Sequence, residues 1–429
     1  MNKLLIAGAL TIASMSLSAK EWTLQECVDY AVDNNLTVLR RSNEVFQAEN
    51  ELTSARDAVL PTVSGQGQQA WNFGRGLTAS NTYANHNTSN FGLSVGLNLP
   101  LFQGLQAYRQ IQYQRTYLSS MVESLESAKD DITLQVMAQY LQVLYSREME
   151  EIARAQVQIT SDELERRQAL LDVGRIPEAD MLDAKSQDAQ ARVQLVTAQN
   201  DTRLALLDLS QLLRLESVEG FSIAEPDEEM PLLRDPREVF ERAMENNHSV
   251  RAERLMVDAA SKQISVARTG WIPRLNFSAG LGSNYYKVNG MDNERFSEQF
   301  RHNFAQQVGL SLSIPIFDAF QTRNAVRRAR VNQLSTQLNF ETTSDNLFKA
   351  IQQAYYQAVG ARERHNAASV AVEASEASLS AITEKYGLGR ATPTEFDNAK
   401  NQYVKSLSER AQAKFEYLLR ARILAFYGK

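Results

Sequence analysis

Residues 91–102 read FGLSVGLNLPLF, and this stretch decides the fold. Up to Leu99 the odd positions are apolar, and the even ones are Gly, Ser or Asn, which is the period of a β-strand. About ten residues with one apolar face and one small, polar face suit a strand that lies between lipid and a wet lumen. A soluble β-sandwich could show a similar alternation, so this stretch alone leaves both structures open.

The alternation recurs later in the chain. Residues 308–317 read VGLSLSIPIF, so Pro315 follows Pro100 by 215 residues (315 − 100). Residues 275–282 alternate in the same way, and residues 62–73 do so more weakly. We therefore predict four strands in two hairpins, with pairing ending at Pro100 and Pro315 because proline cannot donate to a ladder. We expect the odd-numbered residues of 91–99 and the even-numbered residues of 308–314 to face lipid.

Other landmarks repeat at similar offsets. Leu60-Pro61 returns as Ile272-Pro273 after 212 residues (273 − 61), and Gly174-Arg175 returns as Gly389-Arg390 after 215 (389 − 174). Breaks and turns that recur in register indicate an internal duplication, in which one copy cannot close its own surface. The sequence predicts a signal peptide at 1–19, a first repeat at 20–215, a linker at 216–235 and a second repeat at 236–429.

The first nineteen residues have the features of an export signal. Lys3 precedes an apolar run, and Ser18-Ala19 are small enough for signal peptidase. No later segment has the apolar length of a membrane-spanning helix. We therefore predict an exported protein that, if it spans a membrane, does so with strands.

Long helices fill most of the remaining chain. The segment between Gly104 and Val173 has no proline or internal glycine. It is about 70 residues long, or roughly 105 Å as a helix. Its counterpart runs from Ala319 to about Tyr386, interrupted at Gly360. Each repeat also begins with a helix, predicted as one stretch from Trp22 to about Ala58 in the first copy, and ends with a return helix. Helices of this length and composition are typical of coiled coils with neighbours on both sides.

The composition excludes several classes of function. The net charge of −6 offers no basic field for a phosphate backbone, which argues against nucleic-acid binding. The single cysteine, Cys27, cannot form an internal disulfide and is predicted to be a small core residue. The four histidines (His86, His248, His302 and His365) lack the spacing of metal ligands or of a catalytic triad. We expect no enzymatic activity and no cofactor.

Four strands cannot form a closed barrel. Lipid does not tolerate open sheet edges, and spanning barrels begin at about eight strands. If the strands cross a membrane, the chain must therefore oligomerise. Two or three copies would both satisfy this condition.

Over residues 22–429 the chain resembles the TolC-type outer-membrane efflux proteins. The resemblance rests on the duplicated order of the Thr23-Leu24-x-Glu26 opening, Asn34-Asn35, the Leu60-Pro61 break, the Pro-x-Phe switches and the Gly174 and Gly389 turns. It implies a mainly α-helical protein with a transmembrane β-barrel, formed as a homotrimer with twelve strands in the outer membrane. Below the barrel it implies a tunnel of twelve helices in the periplasm, with the linker as an equatorial belt. The implied function is a passive exit duct for efflux or type I secretion, joined by a periplasmic adaptor to an inner-membrane pump.

The resemblance also suggests functional residues at the helix turns. It places Gly174, Arg175, Gly389 and Arg390 at the periplasmic tip, where they would contact the adaptor. Arginine can grip carbonyl or carboxylate oxygens. The simpler alternative is that the glycines only cap helices and the arginines are solvated.

A second set of candidate residues is acidic and follows each turn. Asp180 and Asp183 lie three residues apart, and the 215-residue offset maps them to Glu395 and Asn398. The resemblance implies that such acids form rings that constrict the pore and favour cations. Asp397, at the position of Leu182, is the fourth candidate. Alternatively, these acids only complement the helix dipole.

The main rival interpretation is a periplasmic structural or adaptor-like coiled coil without a pore. Such a protein would need neither alternating strands nor aromatic residues at the strand ends. The sequence does not indicate the cargo, the partner pump or the resting state of the tip.

Overall fold

The computed structural model describes residues 21–77, 81–85, 87–225 and 232–429. The predicted signal peptide, His86 and residues 226–231 of the predicted linker lie outside the described residues. The chain forms two compact units, each built from segments of both sequence repeats. The helical unit comprises the described residues up to Ser42, Leu125–His248 and Ser344–Lys429. The sheet unit comprises Asn43–Ser124 and Ser249–Thr343.

The elements follow the order predicted from the sequence. The helices are α1 (Leu24–Asn34), α2 (Leu36–Asp57), α3 (Gln106–Asp172), α4 (Glu178–Leu213), α5 (Pro236–Asn246), α6 (His248–Ala267), α7 (Phe296–His302), α8 (Gln321–Gly387) and α9 (Pro393–Tyr427). The strands are β1 (Glu21–Trp22), β2 (Thr62–Asn72), β3 (Arg75–Leu77), β4 (Tyr83–Asn85), β5 (Thr88–Phe102), β6 (Ser222–Ile223), β7 (Arg274–Val288) and β8 (Ala305–Ser313). Within the described residues, no helix is long and apolar enough to cross a bilayer.

The four long strands form one antiparallel sheet in the order β2-β5-β7-β8. The two predicted hairpins are present, and β5 pairs with β7 to join them. Among the described residues, the outer strands β2 and β8 each have one edge without a partner strand. The sheet of one copy is therefore open on both sides.

Strand register sorts the sheet into two chemically different faces. Leu97 pairs with Ala279, and Ala279 pairs with Val308, so these three residues share a face. Leu99, Phe277 and Leu310 share the same face, which we call the apolar face. The opposite face carries Gly, Ser, Asn and Gln. This register confirms that odd positions of β5 and even positions of β8 lie together.

The prediction that pairing stops at both prolines was half right. β8 ends at Ser313, before Pro315, but β5 continues to Phe102, with an irregularity after Pro100. The pairing with β2 ends at Asn98, so Pro100 has a partner strand on one side only. A proline is tolerated in a strand that is locally an edge.

The predicted helix from Trp22 to about Ala58 is in fact two helices. Asn35 has an extended conformation and ends α1, and its side-chain oxygen accepts the backbone N–H of Thr37 at the start of α2. Asn247 likewise has an extended conformation and separates α5 from α6. Asparagine competes with the helix ladder through its own side chain, which produces the break. The Thr23–Glu26 capping box is present as predicted.

The two longest helices have equal lengths. α3 and α8 each contain 67 residues, about 100 Å of helix, and start 215 residues apart (321 − 106). The interruption predicted at Gly360 is absent, because α8 continues through that residue. One glycine in a helix lowers its stability by only about 1 kcal/mol relative to alanine, which the neighbouring helical turns can offset.

The linker contributes a short strand to the helical unit. β6 pairs in parallel with β1, and the Tyr140 hydroxyl contacts the backbone oxygens of Trp22 and Ala224 at 3.2 and 2.5 Å. Arg147 donates to the Ile223 carbonyl at 2.7 Å. β1 and the linker are thus bound to the same part of α3.

Cys27 is fully buried, as predicted. Burial, with a smaller contribution from Glu26, raises the pKa of its thiol to about 12. The folded pKa exceeds the unfolded one, so this stabilising contribution is complete below about pH 8.5 and is lost as the pH rises toward 12.

We expect the folded protein to resist thiol reagents at pH 8 and to react only on unfolding. Labelling kinetics check this, with the exposed site of Ser186→Cys as the reactive control; prompt labelling of native Cys27 would contradict the burial.

Candidate functional site

The two helix turns of the helical unit have the same backbone geometry. Gly174 and Gly389 have φ values of +69° and +70°, a region that favours glycine. The N–H of Arg175 reaches the carbonyl of Leu170 at 2.8 Å, and that of Arg390 reaches Lys385 at 2.8 Å. These bonds close a Schellman motif, so both glycines are C-caps as predicted. Arg175 and Arg390 are exposed directly after them.

Glu395 belongs to a capping box at the start of α9. Its carboxylate accepts the backbone N–H and the hydroxyl of Thr392 at 2.7 and 2.9 Å, and the Thr392 hydroxyl accepts the N–H of Glu395 at 3.2 Å. The backbone hydrogen bond from Thr392 holds the pKa of Glu395 below its usual value. The carboxylate therefore stays ionised to lower pH than an ordinary glutamate.

Asp180 and Asp183 occupy the first two turns of α4. Asp183 is exposed and Asp180 is half-buried. The backbone carbonyl of Asp180 accepts a hydrogen bond from Arg167 Nη1 at 3.2 Å. Both carboxylates lie near the positive end of the α4 dipole.

Asp397 takes part in a buried ion-pair network. Its carboxylate accepts Lys400 Nζ at 2.9 Å, Gln187 Nε2 at 2.8 Å and Arg167 Nη2 at 3.4 Å. The Lys400 side chain is only 2% exposed and that of Asp397 is 14% exposed. Lys400 also donates to Gln187 Oε1 at 2.9 Å. These ion pairs and hydrogen bonds link α3, α4 and α9.

The network continues along α3 to α8. Arg167 Nε lies 2.7 Å from Glu163 Oε1, and the Tyr386 hydroxyl donates to the same oxygen at 2.6 Å. Burial raises the pKa of Tyr386, and its hydrogen bond to Glu163 raises it further. The guanidinium carbon of Arg166 lies 4.4 Å from the centroid of the Tyr386 ring. The Phe396 ring stacks on the same tyrosine ring.

Arg167 connects two of the predicted residues, since it binds both the Asp180 backbone and the Asp397 side chain. Glu163, Arg167 and Lys400 were not predicted from the sequence. The available signal was the pair Asp397–Lys400, opposite charges three residues apart where the first repeat has Leu182 and Lys185. Lys185 is exposed, whereas Lys400 is buried.

A groove of about 950 Å³ lies between α3, α4 and α9 in the helical unit. Its lining is rich in glutamine, and no histidine or cysteine occurs among the described residues that line it. No cluster suited to a metal ion occurs among the described residues. The helical unit thus presents capped turns, exposed acids and a buried salt-bridge network.

Comparison with known proteins identifies the chain's relatives. A family model described as outer membrane efflux protein matches residues 28–213 and 239–426. The outer membrane efflux protein BepC of Brucella suis is 21% identical over 97% of this chain and 88% of its own length. The outer membrane protein TolC of Escherichia coli is 23% identical over 98% of this chain and 85% of its own length. The crystal structure of CusC has the same fold, with a TM-score of 0.79 and 14% identity over 94% of this chain and 92% of CusC.

Proposed function

The chain belongs to the outer membrane efflux protein family, and from this premise we propose that three copies form one passive exit duct. The protein resides in the outer membrane and extends into the periplasm. The observation that carries the proposal is the sheet, with one apolar face, one small polar face and two unpaired edges. Such a sheet suits a barrel wall between lipid and water.

A closed barrel requires strands from several copies. Three copies of the four-stranded sheet would give twelve strands (3 × 4), with β2 of one chain pairing with β8 of the next. This closure would remove both open edges, which lipid does not tolerate. Eight strands from a dimer would also close, and the family resemblance favours three copies.

We interpret the chain as an internal duplication with the boundaries given above. The equal lengths of α3 and α8 support it, as do the helix pairs α1–α2 and α5–α6, whose starts are offset by 212 residues (236 − 24 and 248 − 36). Each sequence repeat then supplies one hairpin, one long helix and one return helix to the assembly.

The helix turns are the proposed contact surface for a periplasmic adaptor, which would connect the duct to an inner-membrane transporter. Gly174 and Gly389 shape the turns, and exposed Arg175 and Arg390 offer hydrogen-bond donors to adaptor carbonyls or carboxylates. Transport energy would come from the inner-membrane partner, and the duct itself would carry out no catalytic step.

Asp180, Asp183 and Glu395 are the proposed constriction of the bore. Threefold symmetry would place nine carboxylates (3 × 3) around the passage, and Asp397 would stand behind them with its charge balanced by Arg167 and Lys400. Closely spaced carboxylates repel one another and are stabilised by cations. The closed duct should therefore select cations and be blocked modestly by multivalent ones, since Asn398 removes one carboxylate per chain.

Neutralising these acids tests the proposal. The triple variant Asp180→Asn, Asp183→Asn, Glu395→Gln should lose much of the cation selectivity and the multivalent block in planar-bilayer recordings. Glutamine at 395 preserves the capping box, so the helix start should remain intact. The matched control is Glu151→Gln, Glu165→Gln, Glu376→Gln, which removes the same charge from exposed helix sites. Mass measurement in mild detergent should give a trimer for both; unchanged selectivity in the triple variant would assign these acids to helix capping.

A further inference from the structure

Exposed arginines cluster where the second hairpin joins its helices. Residues 267–274 and 314–331 contain six arginines and one aspartate, a net charge of +5 (6 − 1) in a chain whose net charge is −6. We call these six side chains, all exposed, the arginine collar: Arg268, Arg274, Arg323, Arg327, Arg328 and Arg330. The cluster therefore opposes the overall charge of the protein.

The carboxylates of the described residues do not neutralise the collar. None of its six members forms an ion pair with a carboxylate among the described residues. Asp318, the acid in these segments, instead accepts the backbone N–H of Thr322 at 2.8 Å at the start of α8. The guanidinium carbon of Arg323 lies 3.9 Å from the centroid of the Phe320 ring, a cation–π contact that does not neutralise its charge. The collar is thus available to an external anion.

The first repeat shows that the fold does not need these arginines. By the 212- and 215-residue offsets, the equivalent positions are Arg56, Thr62, Tyr108, Gln112, Tyr113 and Arg115. Four of the six are uncharged, yet α3 starts at the position equivalent to the start of α8 and has the same length. The additional arginines therefore serve something other than the folding of the junction.

Apolar side chains stand beside the collar. Trp271, Ile316 and Phe317 are 52%, 95% and 74% exposed, and they adjoin the end of the sheet's apolar face. Aromatic residues next to arginines at the end of an apolar band are typical of a membrane interface, where rings lie at headgroup level and cations meet the polar layer. An interface with uncharged lipid headgroups alone would not account for the six arginines of the collar.

We propose that the arginine collar binds the phosphate groups of anionic phospholipids in the leaflet that faces the periplasm. Guanidinium binds phosphate oxygens through two parallel hydrogen bonds and is weakly hydrated, which suits it to a partly desolvated interface. The site would fix how deeply the sheet lies in the membrane, at the end of the sheet where the chain passes from strands into helices. It rests on the proposed function, since it requires the apolar face to contact lipid.

Lipid selectivity measured with spin-labelled lipids tests the collar. In bilayers containing the purified protein, the measured quantity is the fraction of spin-labelled lipid whose motion the protein restricts. This fraction is compared between phosphatidylglycerol, which is anionic, and phosphatidylcholine. An arginine near an anionic surface contributes enough to favour the anionic lipid about fivefold per contact at low salt. The preference should weaken at high salt, and added inorganic phosphate should not remove it if the occupant is a lipid.

The informative variant is Arg323→Gln, Arg327→Gln, Arg328→Gln, Arg330→Gln, for which the preference should fall several-fold, with the remainder attributable to Arg268 and Arg274. The matched control is Arg154→Gln, Arg203→Gln, Arg237→Gln, Arg362→Gln, which removes the same charge from exposed helix sites and should keep the preference. An unchanged preference in the collar variant, or loss of the trimer in it, would overturn the inference and assign these arginines elsewhere or to subunit contacts. Absence of any restricted component for both lipids would instead refute the lipid-facing sheet, and with it the proposed function.

Discussion

Replacing Arg167 by methionine is expected to destabilise the helical unit by about 3–5 kcal/mol, the cost of removing one partner from a buried ion pair. The Arg167 side chain is 3% exposed and contacts both Glu163 and Asp397. Without it, Glu163 would lose its closest cation in a site where its own side chain is 8% exposed. Glu163 would keep only the more distant Arg166, at 3.9 Å. A buried carboxylate with so weak a partner is expected to take up a proton or admit water, and both loosen the packing of α3 against α8 and α9.

Hydrogen exchange is the appropriate measurement, because a long helical protein opens locally before it unfolds as a whole. Amides of α3 around residue 167 and of α9 around residue 397 should lose protection, while those at the opposite end of α3 should not. The control is Arg154→Met, which removes an exposed i,i+4 pair with Glu150 whose arginine is 66% exposed. That change should cost no more than about 1 kcal/mol. Equal protection in the two variants would mean that the network contributes little to stability.

Arginine placed on the apolar face of the sheet is expected to cost about 2–4 kcal/mol near the middle of the membrane. Val95 and Leu310 are the sites to change, since they are 50% and 67% exposed on that face and belong to β5 and β8. The penalty arises because the guanidinium would replace an alkyl group in contact with lipid. Denaturant titration of the protein folded into lipid vesicles measures it.

The adjacent residues supply the control. Ser94 and Ser311 lie on the polar face, where arginine would meet water and should leave the folding free energy nearly unchanged. Each pair of variants differs by one position along a strand, so differences in strand propensity are small. Similar destabilisation from both faces would show that the sheet does not separate lipid from a wet lumen.

The network around Arg167 shows where prediction from the sequence ended. Asp397 was recognised as a departure from the repeat, but its partners could not be, because Gln187 and Arg167 are more than 200 residues away in the chain (397 − 187 = 210). No local pattern specifies which side chains meet across four packed helices. The asparagine pairs Asn34-Asn35 and Asn246-Asn247 were equally visible in the sequence, yet only the structure showed that Asn35 and Asn247 adopt extended conformations that end α1 and α5.

The sequence by itself determined the alternation of the four strands, the two long helices and the glycine turns. These are local properties: side chains alternate with a period of two in a strand, apolar residues follow the turn of a helix, and a positive φ favours glycine. Only the tertiary structure decided that β5 pairs with β7, that Pro100 lies inside a strand and that Lys400 is buried while Lys185 is exposed. Those outcomes depend on which surfaces meet, and burial changes the free energy of a charge far more than any local propensity does.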